Sequence, residues 1–302
     1  MIMKYRVAQI IPYFGRWPVW IDLYFYSCSK NPMVDFIFYT DCPVPQKKYD
    51  NIFIHKCSYN EYKSLVGERL GIEFNVNNPY KLTDLKPFLG LVHKEELQGY
   101  DFWGFGDLDL VYGDLSIVVN ERNLKKYDVI TTHSYHIAGH FTILRNNDKY
   151  RNLCLSINDW DKKLCDDKHY ALDEGEWSDI LYPQIHYVRA LYKRLLKKIG
   201  VSYWGYMEAM GRMLHWKKLF SEFYTTPAPQ KGEEWEYHCD TNKVYSPKGK
   251  ELPYLHFLFF KKTPYYDTDV YWRDGFYKID NSFDNYKRII FNNNEVGAVL
   301  QD

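Results

Sequence analysis

Residues 101–115 read DFWGFGDLDLVYGDL, and the reading of this stretch sets the fold. It begins apolar and aromatic, as a buried strand does. It then carries Asp107 and Asp109 two positions apart and closes at Gly113-Asp114. Alternation along an extended chain sends residues i and i+2 to one face, so the two carboxylates are expected to project together, roughly 6–7 Å apart. Acids that close repel each other unless a cation or a basic group lies between them. A hard divalent cation, which prefers oxygen ligands, is one solution. Two solvated acids at a strand end are the plainer reading, because D-x-D is a pattern that chance supplies often.

On the N-terminal side, residues 6–11 (RVAQII) form a short apolar run stopped at Pro12-Tyr13-Phe14-Gly15. Residues 35–40 (DFIFYT) form a second run ending at Asp41, and residues 51–55 (NIFIH) a third. Apolar residues at helical spacing fill 17–29, and 59–70 also reads as a helix. Strand, helix, strand, strand is the opening of an α/β sheet. In open α/β sheets ligands gather at the carboxyl ends of the strands. Pro12, Tyr13, Phe14, Thr40 and Asp41 occupy such ends, although each also fits ordinary turn chemistry.

Just before the acidic stretch, residues 78–90 (NPYKLTDLKPFLG) interleave Lys81, Asp84 and Lys86 with Leu82, Leu85 and Phe88. The spacing predicts a helix with one apolar and one charged face, continued by 92–98. Either it is an ordinary amphipathic helix, or it delivers Lys81 and Asp84 beside the acidic strand, where they meet a nucleotide.

Beyond the acidic stretch, 127–132 is a further strand and 136–146 (HIAGHFTILRN) sets Gly139-His140 before a β-rich run. His140 is either a substrate contact or a structural histidine. Residues 169–181 place Asp173 and Glu174 in a loop leading into a helix. Such acids are either solvated or serve as a general base or holder of an acceptor hydroxyl. Residues 185–199 form an amphipathic helix, with Ile185, Val188, Leu195 and Ile199 on its apolar face. Arg189, Lys193, Arg194, Lys197 and Lys198 make a basic side that suits solvent, anionic lipid headgroups or a lipid diphosphate. Residues 231–250 read as a surface loop or small hairpin. Residues 252–264 (LPYLHFLFFKKTP) are an apolar strand carrying His256, followed by Lys261-Lys262. His256 is either a core residue or a ligand for a cation such as Mn²⁺, with the lysines neutralising phosphate. The tail from 265 carries no chemistry that the sequence reveals.

The chain has 302 residues, with 39 Lys+Arg balanced by 39 Asp+Glu. No global basic field exists, which argues against a nucleic-acid partner. Hydrophobic residues at 46% and charged residues at 26% are a globular composition. The 29 Tyr and 9 Trp suit flat polar ligands, though biased composition alone would produce them. Six cysteines include no C-x-x-C pair, so a reducing compartment is expected and a zinc site built on cysteine is not. The first apolar run is short and cut by Pro12, reading as a first strand rather than a signal peptide. No run reaches the ~18 apolar residues of a membrane span. Without repeats or a low-complexity linker, one compact domain with two lobes is expected.

Three pieces, KLTDLKPF, FGDLDLVYGDL and LHFLFFKK, stand in an order that resembles GT-A-type glycosyltransferases using a nucleotide-diphosphate sugar. More narrowly, the chain is similar to bacterial glycosyltransferase-like proteins encoded with surface-polysaccharide assembly genes. The resemblance spans most of residues 5–264. It implies a GT-A (Rossmann-like) α/β fold, a mixed, mostly parallel sheet flanked by helices. Residues 1–132 would be the nucleotide-sugar and metal lobe, and 133–302 the acceptor lobe with a C-terminal metal and diphosphate segment.

Carried over, Asp107 and Asp109 are the D-x-D pair that binds Mn²⁺ (or Mg²⁺) against the donor diphosphate, and His256 is the third metal ligand. Lys261 or Lys262 contacts the diphosphate. The family's usual glycine between His and Lys is replaced by LFF at 258–260, which leaves the choice of lysine open. Lys81 and Asp84 help hold the nucleotide, with Tyr13 and Asp41 near the base. Asp173 and Glu174 fall where acceptor-side acids are found, with Gly139 and His140 as acceptor contacts. The implied activity is metal-dependent transfer of a sugar, a UDP-sugar being favoured, to a saccharide or lipid-linked saccharide. The stereochemical outcome is open. The alternative is a non-catalytic sugar-nucleotide-binding protein or a membrane-surface scaffold. The expected location is the cytoplasm, with peripheral contact at the inner face of the plasma membrane left open.

Overall fold

The computed structural model describes residues 4–133, 136–214, 233–257, 275–292 and 294–301. The fold is α/β, a mixed and mostly parallel sheet flanked by helices. Strands β1 (Val7–Pro12), β2 (Val34–Thr40), β3 (Ile52–Lys56), β4 (Phe102–Gly106), β6 (Val129–Thr131) and β7 (Phe141–Arg145) form that sheet. Their order is β3-β2-β1-β4-β7-β6, and β7 alone runs against the rest. β1, β2 and β4 are near-continuous apolar runs because both sheet faces are covered. Ala8, Ile10, Trp103 and Phe105 face helix Tyr59–Leu70 and the 82–92 segment. Val7, Ile11, Phe36 and Phe38 face helix Ile21–Ser29.

Strand β5 (Leu110–Tyr112) leaves this sheet and pairs with β11 (Tyr254–His256). A second, antiparallel sheet has the order β10-β9-β8-β12-β13. It contains β8 (Trp235–His238), β9 (Lys243–Tyr245), β10 (Glu251–Leu252), β12 (Tyr286–Phe291) and β13 (Val296–Leu300). Its core side packs on Leu23 and Tyr26 of the first helix and on Val111, Leu255 and Phe257. The hairpin expected within 231–250 is β8–β9. The tail supplies β12 and β13, which its Asn-rich sequence does not announce.

Several elements differ from expectation for visible reasons. The helix expected over 78–90 breaks into 3-10 turns at Pro79–Lys81 and Lys86–Phe88, each with a proline in its first turn, separated by the short helices Leu82–Leu85 and Leu89–Val92. Residues 101–115 are two strands, not one, with a bend at 107–109 between them. β7 comes from beyond residue 132 yet inserts between β4 and β6, so the main sheet crosses the expected lobe boundary. Helix Tyr59–Leu70 matches its expected bounds, capped by a reciprocal Ser58–Glu61 box and closed by Gly71 at φ 67. No helix among the described residues is long and apolar enough to cross a membrane.

Candidate active site

Every parallel strand of the main sheet ends on one edge, and β7 begins there. That edge gathers Pro12–Phe14, Thr40-Asp41, Asp107–Asp109, Thr132-His133 and Gly139-His140. The bend at 107–109 is pinned from two sides. Asp107 donates its amide to the His140 carbonyl (3.2 Å), and the Trp20 indole donates to the Leu108 carbonyl (2.7 Å). Gly106 is tightly enclosed, since a Cβ would stand 3.0 Å from the Tyr112 hydroxyl and 3.2 Å from the His140 carbonyl and push both aside by a few tenths of an ångström.

At the bend the two acids take different partners. Asp109 is buried and faces His256, with Oδ2 and Nε2 3.5 Å apart. The pairing of β5 with β11 causes this, because Leu110 lies opposite His256 and Phe257 donates its amide to the Asp109 carbonyl. Asp107 is partly exposed and turns to Lys86, whose ammonium donates to its Oδ1 at 2.6 Å. Lys86 also lies 3.8 Å from Asp173. Burial would lower the Lys86 pKa, but Asp107 and Asp173 outweigh it and hold the ammonium charged.

Asp173 is buried, and burial pushes its carboxyl well up against the opposing pull of Lys86, with Glu174 adding to the rise. Glu174 is exposed as a residue, yet its carboxyl end is enclosed enough that burial raises it too. Its Oε1 accepts the Gly139 amide (3.1 Å). A Cβ on Gly139 would meet Asp173 Oδ2 at 2.6 Å and Glu174 Oε1 at 3.0 Å. Gly139, Asp173, Glu174, Lys86 and Asp107 therefore lie together in one group.

A row of imidazoles borders this group. His140 stacks on His256 with centroids 4.0 Å apart, and its Nε2 meets the Tyr254 hydroxyl at 2.8 Å. That hydroxyl also bonds Thr132 Oγ1. His133 lies against His140 edge-on and against His136 at 4.1 Å. Burial lowers the pKa of His133 and His140 far below the usual value, and takes His136 to about 4.

The donor set of Asp109 and His256 fits a divalent cation, since two ligands about 2.1 Å from one ion stand about 3–3.4 Å apart. Asp107 is not drawn into the same cluster; Lys86 holds it. Lys261 and Lys262 lie outside the described residues.

Lys81 and Asp84 correct the nucleotide expectation. They are fully buried and paired with each other at 3.0 Å. Asp84 accepts the amides of Tyr170 (2.9 Å) and Leu172 (3.1 Å), and Lys81 donates to the Lys168 carbonyl (2.5 Å). They support the loop that carries Asp173 and Glu174. Phe14 and Thr40 are likewise buried, one against Tyr59 and Tyr62, the other accepting the Cys42 amide. Pro12 closes β1. Tyr13 stacks on Trp17, and Asp41 accepts the Gly15 amide. Tyr13, Pro12 and Asp41 keep surface at the carboxyl edge of the sheet.

Sequence reading missed Lys86 as a site residue, together with His133 and His136. Lys86 was visible only as one charge of an amphipathic pattern. The two histidines, three positions apart, gave a weak signal without a helix to place them.

No curated protein matches the sequence. Among the solved structures that resemble the fold at low identity are three glycosyltransferases. The galactosyltransferase LgtC, solved with donor and acceptor sugar analogues, is 11% identical with a TM-score of 0.35, covering 58% of this chain and 70% of that one. Glycosyltransferase GlyE of Streptococcus pneumoniae is 9% identical with a TM-score of 0.29, covering 72% of this chain and 45% of that one. Mouse xyloside xylosyltransferase 1 is 9% identical with a TM-score of 0.31, covering 60% and 83%. Residues 9–287 match the family described as "Family of unknown function (DUF6625)", and the chain belongs to that family.

Proposed function

We propose that this protein is a GT-A-type glycosyltransferase that moves a sugar from a nucleotide-diphosphate sugar, a UDP-sugar by preference, to a saccharide or lipid-linked saccharide. The assembly of bacterial surface polysaccharide is the setting we favour. One observation carries the reading: at the carboxyl edge of the sheet, Asp109 meets His256 while Asp107, Lys86 and Asp173 share a charge network.

Breaking a sugar–phosphate bond puts negative charge on the departing diphosphate. Asp109 and His256 would hold a Mn²⁺ or Mg²⁺ ion, which would supply electrostatic stabilisation of that charge, while Lys86 holds Asp107 beside it. Asp173 and Glu174 stand where an acceptor hydroxyl would be oriented. A carboxyl raised by burial is a better proton acceptor than a solvated one. Gly139 keeps the space in front of both acids clear of a side chain. Pro12, Tyr13 and Asp41 border the nucleotide side of the same edge.

Incubation with UDP-glucose, UDP-galactose and their N-acetyl forms, with Mn²⁺, tests the reading. Mn²⁺-dependent release of UDP supports it. No UDP release from these donors, despite a folded protein, contradicts UDP-sugar transfer, and no nucleotide release when GDP- and dTDP-sugars are added to the panel contradicts transfer altogether and favours the non-catalytic binding protein.

A second feature supports peripheral contact with the inner membrane face. Tyr187, Leu191, Leu195 and Ile199 are exposed at four-residue intervals, Tyr187 at 79% and Ile199 at 74%. Lys193, Arg194, Lys197 and Lys198 are exposed around them. The apolar face expected to cover the core is therefore divided: Val188 is buried, whereas Leu195 and Ile199 face solvent. Apolar residues ringed by cations suit an anionic headgroup layer. Flotation with phosphatidylglycerol vesicles, but not with phosphatidylcholine vesicles, is the expected result. No difference between the two removes the membrane role.

A further inference from the structure

We propose that His133, His136 and Glu174 form a second metal site, for a zinc-class transition ion, separate from Asp109 and His256. Each of the three offers one ligand atom, and these atoms lie within 4.8 Å of one another. Among the described residues, this is the group of histidine, cysteine and acidic side chains that converges in this way. Ligands on a tetrahedral ion with bonds of about 2.1 Å stand about 3.4 Å apart, so closure needs at most about 1.4 Å of approach between any two of these atoms.

The surroundings are those of a ligand shell. His136 Nδ1 lies 2.6 Å from the Ile137 carbonyl. A proton on Nδ1 makes that contact a hydrogen bond and leaves Nε2 with its lone pair. Metal-ligating histidines ordinarily spend their other ring nitrogen in this manner. Glu174 is oriented by the Gly139 amide. Residues 137 and 138, which follow His136, are fixed as well, since Ile137 donates its amide to Ser178 Oγ (2.7 Å) and Ala138 to Thr131 Oγ1 (2.8 Å).

Chemistry separates the two sites. Two imidazoles and one carboxylate match Zn²⁺ and Co²⁺, with a further position left for water. The oxygen-richer pairing around Asp109 matches Mn²⁺ or Mg²⁺. With an ion bound at the second site, Glu174 would serve the imidazoles, and Asp173, beside Lys86, would be the acid left for the acceptor hydroxyl. It stands whether or not the protein transfers a sugar.

The test titrates the metal-stripped full chain with Co²⁺ and follows its visible d–d absorption, with Zn²⁺ as competitor. One equivalent should give the intense absorption of a four-coordinate ion, displaced by Zn²⁺. Asp109→Asn should retain it. Glu174→Gln, which keeps its shape, should weaken Co²⁺ binding at least tenfold, and His136→Asn should abolish the absorption while circular dichroism stays unchanged. Absence of the four-coordinate absorption in wild-type protein overturns the site. So does absorption lost in Asp109→Asn, or unchanged in Glu174→Gln.

Discussion

Asp109 Oδ2 and His256 Nε2 meet at 3.5 Å because β5 and β11 pair antiparallel with Leu110 opposite His256. Two distant stretches of sequence thus deliver a carboxylate and an imidazole to one point. The pair predicts that His256→Ala weakens Mn²⁺ affinity at least tenfold by isothermal titration while the thermal midpoint without metal changes little. Unchanged Mn²⁺ affinity with a large loss of stability would make His256 a core histidine instead.

Lys86 competes with any cation for Asp107, since its ammonium is 2.6 Å from that carboxylate. Removing the charge leaves Asp107 and Asp173 facing each other without a cation between them, an arrangement that favours a divalent ion. Lys86→Met is therefore predicted to bind Mn²⁺ roughly tenfold more tightly, about 1.4 kcal/mol. Turnover should fall, because Asp173 loses its positioning partner. Weaker Mn²⁺ binding in this variant would show that Asp107 is no part of the cation site.

Asp84 gives a stability signature in acid. Burial alone would raise its carboxyl, but His169, the Tyr170 and Leu172 amides and Lys81 hold it down to about 2. A carboxyl depressed in the folded state contributes stability above its unfolded value and loses it as pH falls toward the folded one. The contribution, roughly 2 kcal/mol from a shift of this size, should disappear between about pH 4 and pH 2. Urea denaturation of the wild type should show that loss, and Asp84→Asn should flatten it. At neutral pH, Lys81→Met should cost about 1.5–3 kcal/mol by removing the ammonium beside buried Asp84, which keeps His169 and two backbone amides as partners. A parallel pH dependence in the two proteins would contradict the role assigned to Asp84.

Gly139 is the position most sensitive to one added carbon. An alanine Cβ would press on Asp173 Oδ2 at 2.6 Å and Glu174 Oε1 at 3.0 Å. Gly139→Ala should lose about 1–3 kcal/mol of stability and reduce turnover more than it raises the donor KM, since the acids move and the nucleotide side does not. Wild-type turnover would show that neither acid works at this place.

The fold was legible wherever local pattern and burial agree. The apolar runs of β1, β2 and β3 and the capped helix 59–70 could be read directly. The antiparallel insertion of β7 and the second sheet could not, because both depend on pairings between distant segments. Asp107 and Asp109 were readable as a motif, but not their partners, which the break after Gly106 and the β5–β11 pairing decide. Lys81 and Asp84 were misplaced because charges on an amphipathic helix look solvated until a later loop, here 168–172, covers them. His133 and His136 needed the loop geometry around Gly139 before their convergence on Glu174 could be seen.

The most direct test of the central claim is a thermal-shift screen of UDP-, GDP-, CMP- and dTDP-sugars, each with and without Mn²⁺, on wild type and Asp109→Asn. A ligand that binds only the folded state raises the midpoint in proportion to its saturation. A rise with one nucleotide class that requires Mn²⁺ and vanishes in Asp109→Asn is the predicted result. A rise that persists without Mn²⁺ or in Asp109→Asn, or no rise with any donor, would contradict a cation-linked nucleotide-sugar site at Asp109 and His256.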